Sequence, residues 1–492
     1  MLLGQLLAED NLVSPGDVEL GLERQKEHGG TLGENLVALG KITPEALEKV
    51  FSHRPPPPKS SNETGLSREF LLSLTLRTIY VLTLETIPQI CDELKLAPGI
   101  VNGLLEHARE RGLVEVLGQN GSGNATSLRY GLTARGRDWA KEALSRCRYI
   151  GPAPVTLASY REQVERQRIT NDRIDHDALV RSLSHLVLTD GLVRRLGPTV
   201  NSGQAILFYG ASGNGKTAIA TALAGAFKQL IYIPHAVEVD GYVIKVYDPT
   251  IHVEVAPPKE SKSSERAASL LRSVQCDPRW VRCKRPVVSA GAELTLRMLE
   301  LNFNAEALYY EAPLHMKGMG GIFLVDDFGR QTERPDHLVN RWIVPLERKI
   351  DHIVLHTGKK VEIPFDELVI FSTNVPPTKL MDDGMLRRLP YKIPINPPTR
   401  QEYEIIFKLV CEKNGVDMPD DTLRFLLDNL YAKQSLPLAR YHPGFIVEHI
   451  LAISRYEGTP SRLAHRYVVE AMQNLYVEEN SGRLAVAEAS GK

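Results

Sequence analysis

Over residues 3–25 the spacing of apolar, glycine and proline positions is repeated once, 29 residues downstream. Leu3, Gly4, Leu7, Val13, Pro15, Val18 and Leu22 answer to Leu32, Gly33, Leu36, Ile42, Pro44, Leu47 and Phe51. Each copy predicts a short helix ending near Asn11 or Gly40. A second helix is then opened by Ser14-Pro15 or Thr43-Pro44, where a proline in the first turn forfeits no hydrogen bond. Residues 67–146 carry helical spacing in a long first segment, in a second after Thr86 (Ile87, Ile90, Leu94) and in a third from Pro98 (Val101, Leu104, Leu105, Ala108). Alternation takes over at 113–117 and returns at 128–132, around a Gly/Asn/Ser loop at 118–124, and a last helix follows Thr133. Three apolar runs, 204–209, 321–325 and 368–372, have the length and composition of strands buried on both faces. After Pro397 the period is helical again, over 403–413, 422–431, 445–456 and 468–476.

These patterns divide the 492 residues into more than one core, as a chain of this length requires. Residues 1–54 form the duplicated helical module, 55–65 a linker, 66–150 the helix–hairpin–helix module and 151–184 a connecting helical segment. An α/β core over 185–396 and an α-helical domain over 397–480 follow, and the tail 481–492 is expected to be disordered. Pro55 to Pro58, followed by Lys59, Ser60, Ser61 and Asn62, predict a stiff polyproline tether with a flexible end. The long span between Thr217 and Asp326 leaves room for an insertion around 257–267, whose polar stretch 259–266 reads as a mobile loop.

Composition narrows the function classes. With 43% hydrophobic and 24% charged residues the chain is globular rather than disordered or fibrous. Fifty-nine basic against sixty acidic side chains leave a net charge of −1, so no global field favours nucleic acid or an anionic membrane. The five cysteines, Cys91, Cys147, Cys276, Cys283 and Cys411, form no C-x-x-C pair and are read as reduced and non-catalytic. No apolar run reaches the roughly 18 residues that cross a bilayer, and Glu9 and Asp10 interrupt any signal-peptide core, so the expected location is cytoplasmic, without membrane insertion.

The chemistry concentrates at the ends of the three apolar runs. The first feeds Gly210-Ala211-Ser212-Gly213-Asn214-Gly215-Lys216-Thr217, and a helix follows over 218–226. This is G-x-x-x-x-G-K-T in strand–loop–helix context, whose glycines let backbone N–H groups close on phosphate oxygens at a helix N-terminus. In that motif Lys216 reaches the β- and γ-phosphates of ATP, Thr217 ligates Mg2+, and Gly210 through Ala218 surround the nucleotide. The second run ends in Asp326-Asp327. There Asp326 is suited to hold Mg2+ through water and Asp327 to polarise the attacking water. The third ends in Thr373-Asn374, and Arg387-Arg388 stand thirteen residues beyond Asn374.

This order, over about 185–480, resembles the AAA+ ATPases. The resemblance implies a sensor 1 role for Asn374, finger roles for Arg387 and Arg388 at a neighbour's ATP, and a ring of identical subunits, a hexamer. "RKIDHIVLHTGKKVEIPFDELVIFSTN" reads as a β-hairpin before the sensor 1 strand, as in the branch holding magnesium chelatase and MoxR-like ATPases. Sensor 2 then falls near Leu438–Gly444. Relatives carry an arginine after his-pro where this chain has Gly444, which leaves Arg440, one turn earlier, as the substitute. Tyr242, Tyr247, Tyr309 and Tyr310 lie where threading motors carry pore aromatics and are read here as core. The leu-gly and ser/thr-pro repeats of residues 1–54 resemble the N-terminal domain of type II secretion and type IV pilus assembly ATPases. "RGLVEV" and "YGLTARGRDWA" resemble bacterial winged-helix regulators, so 66–150 is expected to be a winged helix-turn-helix. On its third helix Glu106 and Glu110 offset Arg109 and Arg111, and Arg129, Arg135 and Arg137 add a modest cluster. Protein docking is therefore expected ahead of DNA binding.

The implied function is a Mg2+-dependent AAA+ ATPase that hydrolyses ATP at subunit interfaces. It would remodel a protein partner docked through residues 1–150, in pilus or secretion work or its regulation. The alternative is a nucleotide-gated winged-helix switch, or a DNA-binding regulator with little turnover. Asp327, where relatives carry the longer Glu, and Gly444 favour that alternative.

Overall fold

The computed structural model describes residues 4, 7–8, 12–29, 31–44, 46, 54–119, 128–255 and 276–476. The tail 481–492, the expected mobile loop at 257–267 and most of the loop at 118–124 lie outside the described residues.

The repeat at the N-terminus is visible in its caps. Ser14 accepts from the N–H of Asp17 at 3.1 Å and Asp17 accepts from the N–H of Ser14 at 3.0 Å, opening the helix Pro15–His28. Thr43, the repeat counterpart of Ser14, likewise accepts from the N–H three residues on, that of Ala46, at 3.2 Å, and Thr31 and Glu34 make a further reciprocal pair ahead of Leu32–Ala38. Leu7 and its counterpart Leu36, with Val13 and its counterpart Ile42, meet in one small core together with Leu32.

Residues 55–65 depart from the expected free tether. Pro55 and Pro58 are buried, and the Pro55 carbonyl accepts from the N–H of Asp277 at 2.9 Å. The buried Arg279, paired with Asp277 at 2.8 Å, donates to the carbonyls of Thr64 and Pro154. A polyproline tract leaves its carbonyls unbonded, so a neighbour rich in donors captures it. Those donors come from residues more than 200 positions away.

Helices Arg68–Leu82, Ile87–Leu94 and Pro98–Glu110 lead into β1 (Val114–Gln119) and β2 (Leu128–Leu132), and Ala134–Arg146 packs back on the first helix. The strands pair antiparallel with a bulge between Val116 and Gly118, so Gly118 belongs to the strand rather than the loop. A bridge from Thr86 to Arg129 joins the second helix's start to the hairpin edge.

The segment 151–184 is more than helical connection. It supplies β3 (Val155–Thr156) before the helices Leu157–Arg166 and His176–Leu183. After Asp190–Asn201 come β4 (Ile206–Tyr209) and the helix Lys216–Leu223, and the chain then leaves the core to form β5 (Ile231–Pro234), β6 (Ala236–Val239), β7 (Tyr242–Lys245) and β8 (Trp280–Cys283). It returns as β9 (Val287–Ala290), makes β10 (Asn302–Asn304) and β11 (Tyr309–Glu311), and re-enters at β12 (Ile322–Val325). The hairpin β13 (Ile350–Val354) and β14 (Lys360–Pro364) precedes β15 (Leu368–Thr373), as its sequence suggests, and β16 (Tyr391–Pro394) closes the core.

Two sheets result. The first is wholly parallel, in the order β16-β4-β15-β12-β9, with apolar side chains on both faces because helices cover both. The second, β10-β11-β7-β6-β3, has its own apolar core. The insertion is thus a built β layer reaching well beyond 257–267. Tyr310 is buried in it and Tyr242 packs edge-on to Tyr310, in keeping with a core role. The C-terminal helices Arg400–Asn414, Asp420–Phe425, His442–Glu457 and His465–Leu475, with a π-helical turn at Leu426–Ala432, enclose a separate core.

Candidate functional site

The C-terminal ends of β4, β15 and β12 lie side by side, and the side chains that follow them converge there. Gly210 leaves β4 at φ 144°, where an added Cβ would sit 2.4 Å from the Ile395 carbonyl oxygen. Gly213 and Gly215 also take positive φ, of 76° and 86°, and turn the loop into the helix beginning at Lys216. Lys216 is 6% exposed, and its ammonium donates to the carbonyls of Gly210 at 2.8 Å and Ala211 at 3.0 Å, and to Asn374 Oδ1. Burial lowers its proton affinity, and the nearby Asp326 and Asp327 work against that shift. Asn214 is buried, with its amide nitrogen 3.4 Å from the Ala211 carbonyl.

Thr217 Oγ1 donates to Asp326 Oδ2 at 2.7 Å, across 109 residues of sequence. Asp327 follows in a left-handed conformation (φ 47°), and Asn374 Nδ2 donates to its Oδ1 at 3.0 Å. Lysine, hydroxyl, two acids and an amide from three adjacent strand ends therefore form one hydrogen-bonded set. Among the described residues no group of three or more His, Cys, Asp or Glu forms a metal cage. Thr217 and Asp326 offer the hydroxyl and carboxylate oxygens suited to a Mg2+ ion that keeps waters and phosphate oxygens as its other ligands.

A cavity of about 630 Å³ opens over this set. Its floor is the loop from Ser212 to Ala218 with Asp326, Asp327 and Asn374; one wall is His185, Leu186, Val187 and Leu188, and the other is Ile406, Leu409, Val410, Arg440 and Tyr441 from the helical domain. Arg440 donates to the Val187 carbonyl and to Glu402, its Cδ lying 3.9 Å from where a Cβ on Gly215 would stand. The Tyr441 N–H donates to the Gly213 carbonyl at 3.1 Å. Gly444 does not line the cavity.

Arg387 and Arg388, on the helix Asp383–Arg388, do not reach this cavity. Arg388 is held by Glu347 at 3.3 Å and the Gly384 carbonyl at 3.2 Å. Arg387 is exposed and forms no hydrogen bond or ion pair with the described residues. Arg440 was named from the sequence, but His185 to Leu188, Ile406, Leu409, Val410 and Tyr441 escaped the sequence reading. Residues 185–188 carry no motif, and the only signal for Tyr441 was its place beside Arg440. All five cysteines are free thiols, and burial pushes those of Cys276, Cys283 and Cys411 up to about 12.

Against known proteins, a family model described as a domain of unknown function, DUF8689, matches residues 399–474, the helical domain alone. No curated protein matches the chain. Among solved structures it is similar to NtrX from Brucella abortus in complex with ADP, at 15% identity and a TM-score of 0.35, covering 67% of this chain and 64% of that one. A second NtrX structure from that organism gives 14% identity and a TM-score of 0.37, over 71% of this chain and 70% of that one. A RuvB point mutant from Thermotoga maritima gives 12% and 0.33, over 63% of this chain and 74% of that one. The chain thus spans just under two thirds of the first of these structures.

Proposed function

We propose that the chain is a Mg2+-dependent ATPase of the AAA+ type. The observation that carries the reading is the convergence of Lys216, Thr217, Asp326, Asp327 and Asn374 at three adjacent strand ends beneath a helical domain. Lys216 would exchange its carbonyl partners for β- and γ-phosphate oxygens. A bound Mg2+ supplies charge neutralisation between those phosphates. Thr217 and Asp326 hold its place. Asp327 orients and polarises the attacking water, and Asn374, bonded to both Asp327 and Lys216, fixes their separation. Arg440, facing Gly215 from the opposite wall, adds positive charge on the lid side.

Arg387 is free and outside its own cavity, which supports a finger role across an interface between identical subunits, a hexameric ring by resemblance. Arg388, already spent on Glu347, is the weaker finger of the two. For residues 66–150 the geometry favours a winged helix that docks protein. Arg111 pairs with Glu69, and Arg129 at the hairpin pairs with Glu85 at 2.6 Å, so basic groups that would meet phosphates are engaged internally. The partner acts through residues 1–150, and work for a pilus or secretion apparatus is suggested by the repeats alone. Among the described residues no helix is long and apolar enough to cross a membrane, and a cytoplasmic location fits the reading. One observation favours the slower, switch-like alternative: the short Asp327 carboxylate is already bonded by Asn374.

Calorimetry of ATP against the full chain and Lys216→Ala tests the site. Binding by the wild type and its loss in a folded Lys216→Ala variant is expected; equal affinity overturns the proposal. Steady-state turnover per subunit that climbs with protein concentration supports the motor, whereas binding with negligible turnover at every concentration supports the switch.

A further inference from the structure

The turn that brings Arg440 and Tyr441 to the phosphate loop is held from behind by three buried polar groups. His442 directly follows Tyr441, is 4% exposed, and begins the helix His442–Glu457. Its Nδ1 lies 2.7 Å from the hydroxyl of Tyr431, which lies 3.0 Å from that of Tyr403. Whichever way the hydroxyl protons point, each of these groups has a partner. The imidazole also stacks on the Tyr431 ring, at 5.7 Å between centroids and 21° between planes. Tyr431 sits in the π-helical turn Leu426–Ala432, a local underwinding of the helix that recurs at functional sites and re-aims the side chains it carries.

Ahead of this anchor, Tyr441 meets the loop twice. Its main-chain N–H donates to Gly213 at 3.1 Å. Its ring covers the same residue so closely that a Cβ on Gly213 would stand 2.1 Å from Tyr441 Cδ1. Tyr441 is nonetheless 48% exposed and lines the cavity. An exposed aromatic pressed on a backbone glycine gains little by itself. What fixes it there is the buried chain Tyr403–Tyr431–His442, because a polar group without a partner in that interior is costly.

We propose that Tyr441 is a positioning residue of the nucleotide site, and that the Tyr403–Tyr431–His442 chain sets it against the phosphate loop from within the helical domain. The inference rests on the nucleotide reading of Gly210–Thr217. It assigns the helical domain that matches the family of unknown function the work of shaping that loop through Gly213. The hydroxyl of Tyr441 is not required; the ring and the N–H are.

The test titrates ATP calorimetrically against the full chain, with hydrogen exchange at 439–445 read with and without ATP. Tyr441→Ala is expected to weaken ATP binding about tenfold, the scale of one lost contact set, and Tyr441→Phe to restore it. Tyr431→Phe, which removes one buried oxygen remote from the cavity, is expected to raise Kd severalfold, and KM more than it lowers kcat. It should also abolish the ATP-dependent protection of 439–445 at a temperature where its circular dichroism matches the wild type. Lys216→Ala separates the two readings. If it abolishes binding while Tyr441→Ala and Tyr431→Phe bind and protect like the wild type, the positioning role is wrong and the nucleotide site stands. If the wild type binds no ATP, both fall. A Tyr431→Phe chain that is merely less heat-stable, with affinity and protection unchanged, also overturns the inference.

Discussion

At Asp327 a left-handed backbone, with φ of 47°, delivers a carboxylate one methylene shorter than glutamate to the amide of Asn374. Asparagine tolerates that conformation as well as aspartate does, so Asp327→Asn should fold and bind ATP with affinity within about threefold of the wild type. Its turnover should fall by roughly 10² to 10⁴, the usual worth of a positioned general base. A coupled-enzyme assay beside calorimetry checks this, and unchanged turnover would remove Asp327 from the chemistry. Gly213→Ala is the harsher change. Its methyl group must displace the Tyr441 ring and accept a φ of 76°, so ATP affinity should drop by at least about tenfold. Four of the five converging side chains stood on motifs that the sequence displays, and Asn374 was placed by its strand end. The contact of Tyr441 with Gly213 was not legible, because it depends on how the helical domain leans on the core rather than on any local pattern.

Among the elements, the tether at 55–65 departs most from its composition. Arg279 is 4% exposed and its partner Asp277 is 2% exposed, so Arg279→Met would leave a buried carboxylate unpaired and two carbonyls without their donor. Loss of about 3–5 kcal/mol in denaturant-induced unfolding is expected; a loss under about 1 kcal/mol would mean the tether is not fastened there. The helical domain makes a pH prediction. Burial pushes His442 down to about 4, so between that value and its ordinary 6.5 the unfolded chain binds the proton more readily than the folded one. Its contribution to stability is therefore complete above pH 6.5 and is lost as the pH falls towards 4. Melting curves over that window should slope less steeply in His442→Gln than in the wild type, and parallel curves would contradict this. Helix starts at Ser14, Thr86 and Thr133 were readable, because capping is local chemistry. The strands β9 and β16 were not, being four residues long with no motif at their ends.

For the whole molecule, the separation of Arg387 from its own cavity predicts complementation. Lys216→Ala subunits keep the arginines but lack nucleotide, and Arg387→Ala/Arg388→Ala subunits keep nucleotide but lack the arginines. Mixed, they should regain part of the wild-type turnover, since fingers in P-loop systems are worth about 10³ to 10⁵ in rate, or roughly 4 to 7 kcal/mol. Mixed assemblies that demonstrably form and stay inactive would rule out action across an interface. The order of helices and strands over 68–146 was legible from the periodicities. The second sheet was hidden because it joins β3 to strands more than 80 residues further on, a pairing that no local window contains. That sheet and the fastened tether have a mechanical consequence. The Pro55 carbonyl is held by Asp277, β8 begins at Trp280, and β9 ends at Ala290, whose carbonyl accepts from the N–H of Asp326 at 2.8 Å. Twelve residues lie between Asp277 and Ala290, seven of them committed to strands. A pull on the chain at Arg54 therefore finds little slack to spool out before the load arrives, as tension along a strand, at the backbone of the residue proposed to hold the metal.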